Sequence, residues 1–390
     1  MSSIERSYLD YNATAPIRPE VADAVARALA LSGNASSVHA EGRAARAAIE
    51  KARDKVAALV GAEAQNVVFT SGGTEASNAV LTPSLRRRKG PEAVRLLVGA
   101  AEHPCVLDGH RFKETQVERI PVGRDGMVDL AWLEARLERG RGEPVLVSIQ
   151  AANNETGVIQ PVRAAAEITR HFGGLVHTDA VQAMGKIALD IAAFGVDVLT
   201  MSAHKLGGPK GVGAIVLASD AIEIGDRLIR GGGQERGHRA GTENVAAIVG
   251  FGVAAEIAAR DLDSEGLRLR RLRDTLEAGI RRQAPEAVIF GEGVERLPNT
   301  CAFAVPSVRA ETALIALDLA GVAVSSGSAC SSGKVKRSHV LSTMGVEPSL
   351  AEGAIRVSLG WRTTETDVKR FTLAFEKLLD TLYRRRADAA

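Results

Sequence analysis

The chemistry in this chain gathers at the ends of short apolar runs. Val198-Leu-Thr-Met-Ser-Ala-His-Lys205 closes on a lysine, and Val176-His-Thr-Asp179, twenty-six residues earlier, closes on an aspartate. Each run reads as a buried strand whose C-terminal end turns polar, and in an open α/β sheet that edge is where ligands bind. An amine and a carboxylate delivered there by neighbouring strands suit pyridoxal phosphate. That cofactor is held covalently on a lysine, and its ring nitrogen needs an acid partner to stay protonated and draw in electrons. Lys205 and Asp179 are the candidates. Either residue alone could be an ordinary strand-end charge, so the neighbours carry the argument.

Gln182 follows Asp179 in the same turn and can reach the cofactor's phenolic oxygen, while Ser202 and His204 flank Lys205 with groups that hydrogen-bond phosphate. Upstream, Val67-Val-Phe-Thr-Ser-Gly-Gly73-Thr74-Glu-Ala reads as strand, glycine turn and helix start. A helix N-terminus attracts phosphate through its free N–H groups, to which Thr74 adds a hydroxyl. Leu96-Leu-Val leads to Glu102-His103-Pro, placing an imidazole where it can stack on a flat ring; a capping role is the plainer alternative. Val145-Leu-Val-Ser-Ile leads to Asn153-Asn154-Glu155-Thr-Gly.

These motifs resemble the cysteine desulfurases, members of the class V aminotransferase group within the fold-type I pyridoxal-phosphate enzymes. The resemblance runs from Tyr8-Leu-Asp-Tyr-Asn-Ala-Thr-Ala-Pro16 to Ala354-Ile-Arg-Val-Ser-Leu-Gly360 and is sharpest in Ser202-Ala-His-Lys-Leu-Gly-Gly-Pro-Lys-Gly-Val-Gly213 and Gly231-Gly-Gly-Gln-Glu-Arg-Gly-His-Arg-Ala-Gly-Thr-Glu-Asn244. It implies an α/β fold with a large, mostly parallel sheet domain and a smaller α+β domain. It also implies that Thr242 reaches the phosphate of the other subunit's cofactor, so that each site is completed in a homodimer. Two positions depart from the pattern: Ala35 stands where proline is frequent, and His238 where arginine is frequent.

Within that group the reaction is selected by Val324-Ser-Ser-Gly-Ser-Ala-Cys330-Ser-Ser-Gly-Lys334, a segment too rich in Gly and Ser to pack a core. It reads as a loop presenting one sulfur, with Lys334, Lys336 and Arg337 favouring the thiolate. Cys105 and Cys301 are expected to be small buried hydrophobes. The loop resembles the long-loop subgroup, and the Arg-Ala-Gly-His-type sequence of the short-loop subgroup is missing. By resemblance, Cys330 attacks the sulfur of bound L-cysteine, Arg356 and Asn154 hold the substrate carboxylate, Lys205 moves the α-proton and His103 faces the ring. The product is L-alanine with a persulfide on Cys330, destined for an acceptor protein such as an iron–sulfur scaffold or a sulfur relay to tRNA thiolation. Selenocysteine lysis or another class V reaction is the alternative. No resident metal is expected, although Cys330 could ligate an iron–sulfur cluster in passing.

Composition fits this reading. The 390 residues are 45% hydrophobic and 25% charged, enough for a large core. A formal charge of +2 makes no case for direct nucleic-acid binding. Three cysteines point away from a disulfide scaffold and toward a reducing compartment. The start Met-Ser-Ser-Ile-Glu-Arg has no signal-peptide character and no long apolar run follows, so a cytoplasmic enzyme without membrane contact is expected. Pattern shifts divide the chain into a cofactor domain over 16–257 and a second domain from 1–15 and 258–390 that carries the cysteine loop at about 324–336. A helix over Ala246–Arg282, with Leu267, Leu269, Leu272, Leu276 and Ile280 at helical spacing, links the two. Arg86-Arg-Arg-Lys89 and Arg384-Arg-Arg386 read as solvated helix ends, the latter open to use as a docking tail.

Overall fold

The structure, a computed structural model, describes residues 6–326 and 337–387. Its centre is a seven-stranded sheet built from β1 (Val67–Thr70), β2 (Arg95–Gly99), β3 (Val117–Ile120), β4 (Val145–Ser148), β5 (Leu175–Asp179), β6 (Val198–Ser202) and β7 (Gly213–Leu217). The spatial order is β1-β7-β6-β5-β4-β2-β3. The run β6-β5-β4-β2-β3 is parallel, and β7 lies antiparallel to both β1 and β6. Only β7 is therefore reversed, and the C-terminal ends of β1, β2, β4, β5 and β6 share one edge. The central strands are apolar on both faces because helices cover both. On one side Val67, Phe69, Leu97, Val147, Leu199 and Met201 join a core closed by helices Ala40–Leu59, Val162–His171 and Val245–Gln283. On the other, Val68, Leu96, Val98 and Ile215 pack beneath helix Gly73–Val80.

Helix Val245–Gln283 begins on the Asn244 cap, whose side chain accepts from Ala247 N at 3.1 Å. Its first half feeds the large core through Phe251, Ala254 and Ile257, and its second half feeds a separate core through Leu269, Leu272, Leu276 and Ile280. Leu267, expected on that inner face, is instead 61% exposed: two residues before Leu269 it points to the opposite side of the helix. The second core is built on a sheet of order β8-β9-β11-β10, from β8 (Val288–Ile289), β9 (Thr300–Ala304), β10 (Ser325–Ser326) and β11 (Ile355–Ser358). Phe303, Phe371 and Phe375 fill its centre. Ser7–Tyr8 pairs in parallel with Val322–Ala323, bringing the N-terminal segment to this part of the chain.

The basic run at Arg86 is not a helix end. Leu85–Arg87 is a strand antiparallel to Ile222–Ile224, and its charges are paired, Arg86 to Glu223 at 2.9 Å and Arg87 to Asp197 at 3.4 Å. Arg384–Arg386 lie in the last turn of helix Glu365–Ala387. Among the described residues no helix is long and apolar enough to cross a membrane.

Candidate active site

The shared edge of the large sheet opens into a cavity of about 290 Å³. After β1, the tight Ser71-Gly72 turn starts helix Gly73–Val80, and Gly73 and Thr74 form part of the wall. A side chain at Gly73 would meet Val181 Cγ2 at 2.9 Å, and one at Gly213, opposite Thr70, would strike the Gly72 backbone at 2.6 Å. Glycine is what allows helix, turn and strand to crowd this corner. The first-turn N–H groups of the helix, the Thr74 hydroxyl, Ser202 and His204 line the same cavity and suit a phosphate.

His103 follows β2. Its Nδ1 accepts from Cys105 N at 3.1 Å and caps helix Pro104–Leu107, so capping role and cavity position coexist. With Nδ1 accepting, the neutral ring carries its proton on Nε2. Burial, and repulsion from Lys205 and His339, push its pKa down to about 4. His204, bonded through Nδ1 to Thr14 Oγ1 at 3.1 Å, is likewise brought to about 4, by burial and by Lys205 and Lys210. Both rings are neutral near pH 7.

Asp179 ends β5 with a side chain that is almost fully buried. Burial raises its pKa to about 6, against the lowering effects of a 2.9 Å bond from Val181 N to Oδ1 and of Lys205. Lys205, after β6, donates to the carbonyls of Asn12 at 2.5 Å and Ala13 at 2.9 Å. Gln182 donates through Nε2 to Asn12 O at 2.9 Å. Asn154 reaches the cavity after β4, and its carbonyl accepts from Arg356 Nη1 at 3.2 Å. Arg356, on β11 of the smaller sheet, is 2% exposed and pairs through Nη2 with Asp10 Oδ1 at 2.8 Å. Its Nε has no hydrogen-bond partner among the described residues.

Ten of the expected residues therefore meet in one cavity: Gly73, Thr74, His103, Asn154, Asp179, Gln182, Ser202, His204, Lys205 and Arg356. Thr242 does not join them. It is exposed, on the loop that precedes helix Val245–Gln283. That loop holds Glu235 and Arg236 at φ of +46° and +54°, a costly conformation for non-glycine residues. It is anchored by the Glu235 carboxylate, which accepts from Arg53 Nη1 at 2.7 Å, Arg53 Nη2 at 2.8 Å and Phe69 N at 2.8 Å. Cys330 lies outside the described residues, as do Lys334 and Lys336. Cys301 is buried in β9 as expected. Cys105 is not a core residue: it stands in the cavity wall, its Sγ 3.8 Å from Ser77 Oγ, and burial together with Asp179 drives its thiol far up, away from thiolate.

Sequence reasoning missed Asp10, Asn12, Gln150 and Lys186. Asn12 is the hub of the floor: its Nδ2 donates to Thr300 Oγ1 at 2.9 Å and its Oδ1 accepts from Lys186 Nζ at 3.0 Å and Asn299 Nδ2 at 3.1 Å. The buried Asp179 carboxyl suits a group bringing a protonated ring nitrogen, and the unpartnered Arg356 Nε suits a carboxylate. Pyridoxal phosphate with an amino-acid substrate fits both.

The class V aminotransferase family matches residues 7–371. A cysteine desulfurase of Cereibacter sphaeroides is 43% identical, the match covering 97% of this chain and 97% of that protein. The cysteine desulfurase IscS of Dictyoglomus turgidum is 41% identical over 96% of this chain and 95% of its own. Among solved structures, a NifS-like protein from Rickettsia africae superposes with a TM-score of 0.87 at 34% identity, covering 96% of this chain and all of that one.

Proposed function

We infer that this chain, which belongs to the class V aminotransferase family and within it to the cysteine desulfurases, is a pyridoxal-phosphate enzyme that converts L-cysteine to L-alanine and leaves the sulfur as a persulfide on Cys330. The observation that carries the residue assignment is the convergence on one cavity of Lys205 and Asp179, from two strand ends of the large sheet, and Arg356, from within a strand of the smaller one. Lys205 would hold the cofactor, Asp179 the proton on its ring nitrogen, Gln182 its phenolic oxygen, and Gly73, Thr74, Ser202 and His204 its phosphate. When bound, the cofactor supplies an electrophilic carbon for the substrate amine and a ring that withdraws electrons from the substrate's α-carbon.

The chain's own residues do the rest. Arg356, steadied by Asp10 and by the Asn154 carbonyl, orients the substrate carboxylate with the N–H groups those partners leave over. The Lys205 amine, gathered toward the Asn12 and Ala13 carbonyls at the cavity floor, takes the α-proton. His103, neutral in the cavity wall, would lie against the cofactor ring and relay a proton through Nε2. Cys330 thiolate attacks the substrate sulfur: an S–S bond forms, the Cβ–S bond breaks with its electron pair going to carbon, and protonation of that carbon together with return of the α-proton from Lys205 completes alanine. One cysteine and one thiol give one alanine and one persulfide, with no external oxidant. A thiol reductant or an acceptor protein then takes the terminal sulfur. Delivery to an iron–sulfur scaffold or a sulfur relay, in the cytoplasm, is part of the proposal, as is a homodimer in which Thr242 completes the neighbouring site.

Mass spectrometry after incubation with cysteine and no reductant tests the assignment. One added sulfur is expected on the peptide containing Cys330 and on neither the Cys105 nor the Cys301 peptide. Cys330→Ser should still bind the cofactor and cysteine but release no alanine or sulfide above background. Full turnover by that variant, or added sulfur on Cys105, would move the reading to a lyase or transaminase.

A further inference from the structure

Gln182 has an amide whose two ends do opposite things, and which end faces the cavity decides what the cavity offers a ligand there. The hydrogen bonds an amide makes fix which end faces which neighbour. Here the bonds are unambiguous. The Asn12 carbonyl can only accept, so the amide nitrogen faces it and Oε1 is left to receive Lys186 Nζ at 2.8 Å. Nε2 then gives one hydrogen to Asn12 O at 2.9 Å and keeps a second, and Gln182 is part of the cavity wall. Lys186 also donates to Asn12 Oδ1 at 3.0 Å, beside the bond that oxygen receives from Asn299 Nδ2 at 3.1 Å, and the Asn12 Nδ2 so turned meets Thr300 Oγ1 and the Asn154 carbonyl. The same Asn12 carbonyl that receives Gln182 receives Lys205 Nζ.

We propose that Lys186 is a positioning residue that locks the Gln182 amide with its N–H toward the cofactor's phenolic oxygen and fixes the Asn12 carbonyl on which Lys205 rests. It touches neither substrate nor cofactor and acts through Gln182 and Asn12. A purely structural lysine would more commonly keep its ammonium in water. Lys186 instead brings that ammonium, alongside Lys205 and Arg356, into an enclosed place where burial and those two charges hold it well below the ordinary lysine range. The residue as a whole is only half-buried, its stem bordering a small cavity shared with Tyr11 and Trp361. A hydrophobic residue would fill that space without the desolvation cost, so two directed hydrogen bonds are the gain that explains an amine there.

The inference rests on Lys205 being the cofactor's lysine, and the two ideas fail separately. Borohydride reduction of the wild-type holoenzyme followed by peptide mapping locates the cofactor; a label anywhere but Lys205 sinks the reading of the site. With Lys205 labelled, the pH titration of the bound cofactor's visible absorbance is compared in wild type, Lys186→Met and Lys186→Arg. In the methionine variant only the Asn12 carbonyl is left to hold the amide, and turning brings its oxygen toward the phenolic oxygen. The midpoint should rise by about one pH unit, and cofactor should dissociate about five-fold faster, the worth of one hydrogen bond. Arginine keeps the donors and should restore the wild-type midpoint. In a Gln182→Ala background, the effect of Lys186→Met should fall to less than half. If the methionine variant does not fold, Lys186→Gln, whose amide no longer dictates the orientation of its partner, takes its place. An unchanged midpoint and dissociation rate in the folded variant, or an undiminished effect in the Gln182→Ala background, would overturn the proposal.

Discussion

Arg356→Lys isolates what the planar guanidinium contributes, because it keeps the charge and removes the fork. Of the five N–H donors of Arg356, one goes to Asp10 Oδ1 at 2.8 Å and one to the Asn154 carbonyl at 3.2 Å, while Nε has no partner among the described residues. The remaining donors include a pair with the geometry to take a carboxylate in two parallel bonds. A lysine ammonium drawn to Asp10 could offer the substrate one bond at most. Losing one charge-assisted hydrogen bond costs about 1.5–3 kcal/mol, which lowers kcat/KM for L-cysteine roughly 10- to 150-fold. The loss should appear mainly in KM, since the carboxylate is bound in ground and transition states alike. Alanine formation measured over a range of cysteine concentrations gives the two constants. Cysteamine, which has the amine and thiol of cysteine but no carboxylate, supplies the control. Its affinity, read from the perturbed cofactor spectrum, should be the same in variant and wild type within about two-fold. Equal kcat/KM for cysteine in the two proteins, or an equal loss for cysteamine, would refute the carboxylate assignment.

Two further outcomes follow from the site. If Thr242 completes the neighbouring subunit's site, mixing inactive Lys205→Ala chains with impaired Thr242→Ala chains should restore part of the activity, since one hybrid site holds both wild-type residues; absence of recovery after verified subunit exchange argues for sites within single chains. Glu155, almost fully buried and 2.5 Å from Ser338 Oγ, is raised by burial to about 7 from an ordinary value near 4.5. A folded-state value above the unfolded one stabilises the fold fully below about pH 4.5 and loses that contribution as pH rises through about 7. Glu155→Gln keeps a partner for Ser338 and cannot ionise, so it should gain stability over wild type by a few kcal/mol above pH 7 and match it below pH 4.5 in thermal melts across that range; parallel curves would refute the buried ionisation.

The residues legible in the sequence are those whose position is set locally. Asp179 closes an apolar β-rich run, and Lys205, His103 and Asn154 each come within a few residues of the end of one, so identifying the strand locates the residue at the sheet edge, and β7 alone running backwards leaves that edge intact. Gln182 was readable for the same reason, three residues past Asp179. Lys186, four residues past Gln182, carries a local signal: that spacing brings side chains together on a helical turn, and a lysine beside an amide is a hydrogen-bond pair. Composition at Arg86–Lys89 cannot separate a charged helix end from an edge strand whose arginines meet Glu223 and Asp197 across the fold. Leu267 shares the apolar character of its neighbours, but a two-residue step to Leu269 reverses the helix face.

Asp10 and Asn12 were beyond local reading, and the reason bears on how the site works. Asp10 meets Arg356 across 346 positions, and Asn12 meets Thr300 across 288. Neither contact exists until the N-terminal segment is laid between the two sheets. Yet these two residues steady the two cations the chemistry needs: Asp10 holds the Arg356 guanidinium, and the Asn12 carbonyl receives the Lys205 ammonium. The large sheet supplies Lys205 and Asp179, the smaller sheet supplies Arg356, and the strip from Asp10 to Ala13 bonds to both. Cofactor lysine and substrate arginine are thus set against each other by a segment that belongs to the repeat pattern of neither sheet. A change at Asn12 should therefore disturb cofactor and substrate binding together, whereas changes at Asp179 or Arg356 act on one of them.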